Sequence, residues 1–406
     1  MSEEAIRVQM VTVTQHYDAY PYPARDPKDE AKRLIVGSPS QPVEIDHFVF
    51  GGKRDWSVPI KILVAGGGSG DGLIQLAQGL TNAKRPYNIT YIDLSTSARQ
   101  IAQERARIRG LTGISFITGS LLDAGDLGPF DYIDCCGVLH HLPDPAAGFA
   151  ALRAAVAPHG GMGFMVYAPY GRSGVYPLQE AFSSLLAGCD PKQRLARARA
   201  IYARLPADHP FKKNARVGDH LTSDAGFYDL LLHGQDRAFD VPDLLGVLAQ
   251  TDWSLVGFCK PAQYDPQPFL DAPCDLPAPE AMAVAEKLRG SIKVHVGYAV
   301  PVAAARQPAT GKALSAIPHI SGGKVSALAK IVHSGKPVAL TSDGEKLQIS
   351  LDPRSAAAIN LVNGQRTLGE IAQRADLDPL QFGSLWAAVH DALTGWGLLH
   401  YSQLYR

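Results

Sequence analysis

The chain has 406 residues with 39 basic and 39 acidic side chains, so its formal net charge is zero. Two or three domains are expected at this length, because single hydrophobic cores stop growing at roughly 250 to 300 residues. The balanced charge argues against nucleic acid or a membrane surface as a partner. No apolar run approaches the roughly 20 residues that span a bilayer, and the N-terminus has no signal-peptide pattern. Five cysteines without a CxxC pair predict reduced thiols and a cytoplasmic location.

The first 59 residues are rich in proline and tyrosine. The stretch "QHYDAYPYPARDP" at 15–27 contains three prolines. Each proline fixes φ and removes a backbone donor, so this segment is not one regular helix. We predict that residues 1–59 form a lid segment over the domain that follows.

From Ile60 to residue 302, short apolar runs alternate with helical stretches. This alternation, with strands so apolar, predicts an α/β fold with a Rossmann-like doubly wound sheet, mostly parallel and covered on both faces. The alternating run "KVHVGYA" at 293–299 predicts that the last strand takes an antiparallel or an edge position. Residues 171–235 are predicted to form a helical insertion over the ligand-binding edge of the sheet.

The C-terminal residues predict a separate, smaller module. Small residues, Pro and Gly at 303–323 are typical of a linker. Residues 324–406 combine short strands with helices, including a capping box at Thr367 and Glu370 and a final helix that starts at Pro379. This pattern favours a winged-helix-like α+β domain. Because its last helices carry few basic residues, protein contact or a homodimer through this domain or the insertion is favoured over DNA binding.

A glycine-rich turn follows the first predicted strand. Residues 61–65 run into "GGGSGDG" at 66–72, and clustered glycines at such a turn let the backbone approach a ligand. Asp93 ends the next strand, where an acidic side chain accepts hydrogen bonds from ribose hydroxyls. The two features predict a nucleoside site, the alternative being a packing loop and a helix-capping Asp. The turn lacks the G-x-G-x-x-G spacing of nicotinamide sites, which disfavours an oxidoreductase.

Four stretches between residues 62 and 145 carry a family resemblance: "ILVAGGGSGDG", "YIDLS", "FITGSLLD" and "FDYIDCCGVLHHLPDP". In this order they resemble the glycine motif, the ribose-binding strand end, the adenine-binding strand and the fourth strand of class I, Rossmann-like S-adenosylmethionine-dependent methyltransferases. The stretches "HYDAYPYP", "FYDLLLHGQDRAFDVPDLLGVL" and "WSLVGF" resemble a bacterial group often fused to tetratricopeptide repeats. More remotely, they resemble bacterial protein-lysine methyltransferases with a C-terminal regulatory domain. This chain has no such repeats attached.

The resemblance implies S-adenosyl-L-methionine as cofactor and S-adenosyl-L-homocysteine as product. It places the amino-acid end of the cofactor at the glycine turn, the ribose at Asp93 and the adenine beside Leu94. Two positions depart from the family: Ala65 stands where an acid is usual on the first strand, and Ser120 where an acid is usual beside the adenine amine. The implied cofactor-binding residues are Tyr17, Gly66, Gly67, Gly68, Gly70, Asp93, Leu94, Ser120, Leu121, Cys136 and Gly137.

The acceptor side of the site is predicted from residues near the same edge of the sheet. Methyl transfer from a sulfonium is an in-line displacement, for which a catalytic base is optional. His140 and His141 follow the fourth strand and are the candidates for such a base; the alternative for each is packing or a hydrogen bond to the backbone. The predicted substrate-binding residues are Tyr20, Tyr22, Tyr170, Arg172 and His233.

Three of these assignments have open alternatives. The N-terminal tyrosines either face the cationic sulfonium or pack on the domain surface. Arg172 meets either an acidic substrate or a surface carboxylate. Asp229, His233 and Asp236 have a spacing that suggests metal ligands, but no further ligand is visible in the sequence, so no metal is expected.

The predicted function is methyl transfer from S-adenosylmethionine to an O or N nucleophile of a small molecule bound in a covered pocket. One alternative is a protein methyltransferase acting on lysine or another side chain, because the insertion and the C-terminal module enlarge a docking surface. The other is a cofactor-binding regulatory module with little activity, which the departures at Ala65 and Ser120 leave open. The expected partner is thus an acceptor substrate, either a small molecule or a protein.

Overall fold

A seven-stranded sheet organises the larger part of the molecule, which is described by a computed structural model covering residues 23–406. The spatial order of the strands is β3-β2-β1-β4-β5-β7-β6. All neighbouring strands pair in parallel except β7, which is antiparallel to both β5 and β6. The predicted mostly parallel sheet with an antiparallel last strand is therefore confirmed. In chain order the strands are β1 (Ile60–Ala65), β2 (Tyr87–Asp93), β3 (Ile114–Thr118), β4 (Phe130–Cys136), β5 (Val156–Tyr167), β6 (Trp253–Phe258) and β7 (Val294–Pro301).

Helices cover both faces of this sheet because successive strand side chains point to opposite faces. On β1, Ile62 and Val64 pack into one core, whereas Leu63 and Ala65 pack into the other. The first core is closed by α1 (Pro42–Val49), α2 (Asp71–Asn82) and α3 (Thr96–Ile108). The second is closed by α4 (Pro145–Ala155), α10 (Val241–Gln250) and α11 (Ala278–Arg289).

Five helices form the segment between β5 and α10, where the helical insertion is predicted. They have a small core of their own, which includes Phe182, Phe211 and Phe227. This core lets the segment act as a wall over the sheet edge rather than as a loose loop. The five helices are α5 (Val175–Leu185), α6 (Pro191–Arg204), α7 (Pro210–Lys213), α8 (Asp219–Thr222) and α9 (Asp224–Leu232).

The C-terminal residues form two small antiparallel sheets and four helices around a separate core. The capping box at Thr367 and Glu370 is confirmed, and so is a final helix that starts at Pro379. The winged-helix-like character of this region stays a prediction. Its elements are β8 (Pro318–Ile320), α12 (Val325–His333), β9 (Val338–Ser342), β10 (Glu345–Ile349), α13 (Ala356–Asn360), α14 (Leu368–Arg374), α15 (Pro379–Thr394) and β11 (Leu399–Tyr401).

The linker predicted for 303–323 requires a correction at its C-terminal end. Residues 318–320 form β8, which pairs with β11 and so belongs to the C-terminal sheet. A short Pro-containing run has no pattern of its own that predicts a strand, because the pairing comes from a segment some 80 positions later.

Buried Asp46 on α1 binds the C-terminal residues, since its Oδ2 accepts from Ser402 Oγ at 2.7 Å and Gln403 N at 2.9 Å. Among residues 23–406, no helix has the length and apolar character that crossing a membrane requires.

Candidate cofactor and acceptor site

A cavity of about 560 Å³ lies at the carboxyl ends of β1, β2 and β4 and extends to the helical insertion. Ligands of doubly wound sheets bind at this edge, and the volume is within the range of small-molecule sites. One half of the cavity is lined by the glycine turn, Asp93 and Ser120; the other half is lined by His141, Tyr167 and residues of the insertion. We refer to these as the glycine-turn half and the insertion half.

The glycine turn needs glycines for both conformation and space. Gly66 and Gly68 have φ angles of +66° and +51°, in the left-handed region. A Cβ on Gly66 would lie 2.5 Å from Val138 Cγ2, and one on Gly67 would lie 2.4 Å from the Tyr91 ring. The backbone of this turn therefore forms the cavity wall directly. Gly70, with a φ of +98°, caps α2 and is outside the lining.

Asp93 ends β2, as the sequence predicts, and lines the cavity. Its Oδ2 accepts from Gly68 N at 2.8 Å and its Oδ1 accepts from Ser95 N at 2.8 Å. The carboxylate thus fixes the glycine turn as well as facing the cavity. Leu94, Ser120 and Leu121 continue the same wall.

The two departures from the family pattern are visible in this half. Ala65 is fully buried and offers no polar atom. The Ser120 hydroxyl accepts from Leu122 N at 3.1 Å and so caps the turn that follows. Cys136 and Gly137, at the end of β4, both line the cavity, and the Cys136 side chain is exposed.

Asp134 is an acid in this half that the sequence analysis does not select. It lies on β4 in register with Val64 of β1, lines the cavity and is 2% exposed. Burial raises its pKa to about 7, although the Ser40 hydroxyl opposes that shift. Its Oδ2 has no hydrogen-bond partner among the described residues.

The segment at residues 23–33 is clamped to the glycine turn by charges. Arg25 pairs with Asp71 at 2.6 Å, and Arg105, whose side chain is 1% exposed, joins Asp71 to Glu30 at 2.8 and 2.6 Å. Burial alone would raise the pKa of Asp71, but Arg25 and Arg105 hold it below its usual value. Ser69 Oγ also donates to the Pro23 carbonyl at 2.8 Å. Tyr17, Tyr20 and Tyr22, predicted in the lid, lie outside the described residues.

His141 lines the insertion half. Its Nδ1 lies 3.1 Å from the Gln235 carbonyl oxygen. Because a carbonyl only accepts, this contact requires the proton on Nδ1 and leaves a lone pair on Nε2. A neutral histidine held in this tautomer is suited to take up a proton from a bound nucleophile.

His140 does not line the cavity, and the prediction that it acts as a base conflicts with its surroundings. It is 1% exposed, and neither ring nitrogen has a hydrogen-bond partner within residues 23–406. Its ring centroid lies 3.8 Å from that of Tyr167. Burial, together with the nearby His141 and Arg172, holds its pKa well below the usual value. His140 is therefore a neutral packing residue beneath the cavity floor.

Arg172 lines the insertion half and is 3% exposed. Its guanidinium carbon lies 3.6 Å from the centre of the Tyr167 ring, in a cation–π contact. Nη2 lies 3.6 Å from Asp236 Oδ2, a carboxylate with a fully buried side chain. The carboxylate beside Arg172 is thus a buried one, not the surface carboxylate considered from the sequence.

Asp229 is a cavity residue that the sequence analysis left outside its list of site residues. It is 2% exposed, and Tyr167 OH donates to its Oδ2 at 3.4 Å. Burial raises its pKa to about 6, with His141 opposing the shift. His233 packs behind His141 with ring centroids 4.0 Å apart but is not part of the lining. Tyr170 is likewise outside the lining, so neither predicted contact with substrate is supported.

The structure also brings together potential metal ligands that sequence reasoning could not assemble. Two groups, His140 with His141 and Asp236, and His141 with Asp229 and His233, have ligand atoms within 4.8 Å of one another. Arg172 lies beside the first group, and His233 Nδ1 in the second accepts from a backbone N–H. The expectation of a metal-free site stays a prediction.

Several lining residues were missed because their sequence context is ordinary. Each is a single polar residue in a strand, loop or helix, and only contacts across the fold bring it to the cavity. One of these residues, Asp71, could have been selected from the sequence, because it lies inside the glycine motif. The missed lining residues are Arg25, Asp71, Asp134, Tyr167, Asp219, Asp229, Gln235 and Lys293.

The chain is similar to several known proteins in sequence or in fold. An uncharacterised protein of Synechococcus is 33% identical over 261 residues, which are 63% of this chain and 61% of that protein. The chain therefore spans less than two thirds of that relative's length.

Two solved structures of PKMT2 from Rickettsia typhi resemble the fold. The first has a TM-score of 0.59 and 14% identity, covering 91% of this chain and 77% of that one. The second, in complex with AdoHcy, has a TM-score of 0.58 and 13% identity, covering 89% and 75%. At this identity the likeness is one of fold. Residues 63–162 match the family model described as a methyltransferase domain, and the strand order above is that of a Rossmann-like α/β fold.

Proposed function

We propose that this protein is an S-adenosylmethionine-dependent methyltransferase whose acceptor is a small molecule with an O or N nucleophile. The observation that carries the proposal is the continuity of the cavity. One space runs from the glycine turn and Asp93 to His141 and Asp229. Cofactor and acceptor therefore have adjoining sites within one continuous cavity, as transfer between them requires.

The residues of the glycine-turn half fit the cofactor. Gly66 to Gly68 offer open backbone, Asp93 offers a carboxylate for the ribose, and Leu94 and Leu121 offer apolar surface for the adenine. When bound, the cofactor supplies a methyl group on a positively charged sulfur. The protein's part in such a displacement is to hold the nucleophile in line, and correct positioning contributes up to about 7 to 11 kcal/mol.

The insertion half supplies a proton acceptor. His141 takes the proton of the acceptor nucleophile at Nε2, while the Gln235 carbonyl keeps the Nδ1 proton in place. Buried Asp229 faces the resulting imidazolium and stabilises its charge. Arg172 and Tyr167 close this half and exclude water from the reacting atoms.

The depth of the insertion half favours a small acceptor. Tyr167, Arg172 and Asp229 are each less than 9% exposed, and Val217 and Asp219 of the insertion line the same half. A folded protein reaches such a site only by inserting one long side chain. Protein methylation is the second candidate, because the likeness to PKMT2, described as a protein lysine methyltransferase, extends over 91% of the chain, including its C-terminal part.

The first test is cofactor binding, measured by calorimetry with S-adenosylmethionine and S-adenosylhomocysteine. We expect micromolar binding by the wild type and its loss in Asp93→Ala, with Asp208→Ala, an exposed loop carboxylate, as the matched control. The absence of binding with either ligand would contradict the proposal.

The second test uses a cell extract and cofactor labelled in the methyl group, with the products separated by size. Label in the low-mass fraction supports a small-molecule acceptor, and label in protein supports the second candidate. Tight binding without any labelled product would instead support a regulatory module that binds the cofactor without turnover.

A further inference from the structure

We infer that Arg25 and Asp134 together bind the amino-acid end of the cofactor, Arg25 its carboxylate and Asp134 its ammonium group. This inference rests on the proposed function, because it concerns the cofactor named there. It assigns both charges of the methionine part to residues that the sequence analysis does not select as site residues.

The starting point is the missing acid on β1. The family places an acidic side chain at the end of this strand, whereas this chain has only apolar residues there, Val64 and Ala65. Asp134 on β4 is paired in register with Val64. Neighbouring strands lie about 4.7 to 4.9 Å apart, and the two side chains point to the same face. Asp134 therefore places a carboxylate at the end of the neighbouring strand, level with Val64 and on the same face of the sheet as the Val64 side chain.

Asp134 has an acceptor oxygen that is not satisfied. Oδ2 is buried without a hydrogen-bond partner among the described residues, while the Ser40 hydroxyl bonds the same carboxyl group. The titratable groups that interact with it are Tyr132, Cys135 and Cys136, and none is a cation. A buried carboxylate without a partner is costly, and an arriving ammonium supplies both a hydrogen bond and the opposite charge.

Arg25 is the cation at the glycine turn. Within residues 23–406, three basic side chains line the cavity: Arg25, Arg172 and Lys293. Arg172 lies on Tyr167 in the insertion half, and Lys293 Nζ donates to the Arg216 carbonyl at 3.1 Å. Arg25 instead contacts Asp71, the residue directly after the turn. It is therefore the cation next to the part of the cavity where the resemblance places the amino-acid end.

The surrounding charges let Arg25 share its guanidinium with a ligand. Asp71 is also held by Arg105 at 2.8 Å, so it keeps a cationic partner when Arg25 turns part of its guanidinium to another carboxylate. The guanidinium fork suits a carboxylate ligand. Two contacts hold the segment at residues 23–33 beside the glycine turn. Ser69 donates to the Pro23 carbonyl, and Arg105 pairs with Glu30.

The test compares two ligands that differ only at the amino-acid end. S-adenosylhomocysteine carries that end, and 5′-methylthioadenosine has the same adenosine and thioether without it. Both are titrated calorimetrically into the wild type, Arg25→Gln and Asp134→Asn. We expect each variant to lose roughly ten- to hundredfold in affinity for S-adenosylhomocysteine, since one hydrogen bond to a charged group is lost, with affinity for methylthioadenosine unchanged.

Matched controls are Arg33→Gln on the same segment and Asp131→Asn on the same strand, both expected to bind each ligand as the wild type does. Equal losses for both ligands, or no loss for either, would overturn the inference. Binding of neither ligand to the wild type would instead overturn the proposed function. Because Arg25 is outside the hydrophobic cores, Arg25→Gln keeps the test valid if Asp134→Asn fails to fold.

Discussion

Arg105 on α3 connects the segment at residues 23–33 to the glycine turn. We therefore predict the effect of substituting it quantitatively. Its side chain is 1% exposed, and it donates to Glu30 Oε1 at 2.6 Å, the Ser69 carbonyl at 2.7 Å and Asp71 Oδ1 at 2.8 Å. Arg105→Met keeps an unbranched stem and the helix propensity of the side chain but removes the Arg105 donors from these three acceptors.

The expected loss of unfolding free energy depends on which cationic partners Glu30 and Asp71 retain. Removing one partner of a buried ion pair costs about 3 to 5 kcal/mol. Here Glu30 keeps Arg109 and Asp71 keeps Arg25, so we expect the lower end, about 3 kcal/mol of unfolding free energy. Since the glycine turn loses its clamp at Ser69, affinity for S-adenosylhomocysteine is expected to fall as well.

The assay is urea unfolding followed by far-UV circular dichroism, with ligand titration on the same samples. Arg107→Met is the matched control, because Arg107 is on the same helix and makes only an exposed pair with Glu104; it should unfold as the wild type does. A loss below about 1 kcal/mol for Arg105→Met, the size of an exposed ion pair, would refute the reasoning.

Three further predictions concern the base, the buried acid and the C-terminal attachment. Once an acceptor is found, His141→Gln should slow transfer by roughly 10² to 10⁴ without changing the affinity for S-adenosylhomocysteine; weakened ligand binding would contradict a role in proton uptake. Because burial raises the pKa of Asp134 to about 7, its protonated form dominates below that pH, so affinity for S-adenosylhomocysteine should rise between pH 5.5 and 8. Asp134→Asn should remove that rise, and a rise that persists would point to Glu44, whose pKa is also about 7. Asp46→Ala leaves the donors of Ser402 and Gln403 without their carboxylate and should lower the unfolding free energy by roughly 3 kcal/mol, measured by urea unfolding.

The fold was predictable because its signals are local. The apolar strands alternating with helices, the glycines at 66–70 and the capping box at Thr367 each act over a few residues, and all three are present as expected. The short strand β8 was missed because its partner β11 lies about 80 residues away, and pairing at that distance leaves no local pattern.

The glycine-turn half of the cavity was largely predictable for the same reason. Its backbone turn and Asp93 occur within single motifs, so their spacing in the sequence is also their spacing at the sheet edge. The insertion half was not predictable. His140 and His141 are adjacent in the sequence, yet only His141 lines the cavity, because tertiary packing sets the direction of each ring.

The sequence by itself determined the sheet, its covering helices and the cofactor edge, because periodicity and glycine placement act through short-range backbone geometry. Only the tertiary structure decided which charges meet there. Arg25 reaches Asp71 across 46 residues, and His141 reaches the Gln235 carbonyl across 94. Asp134 lies level with Val64 because of the register between β4 and β1. Electrostatic contacts depend on distance in space, and that distance is set only when the chain has folded.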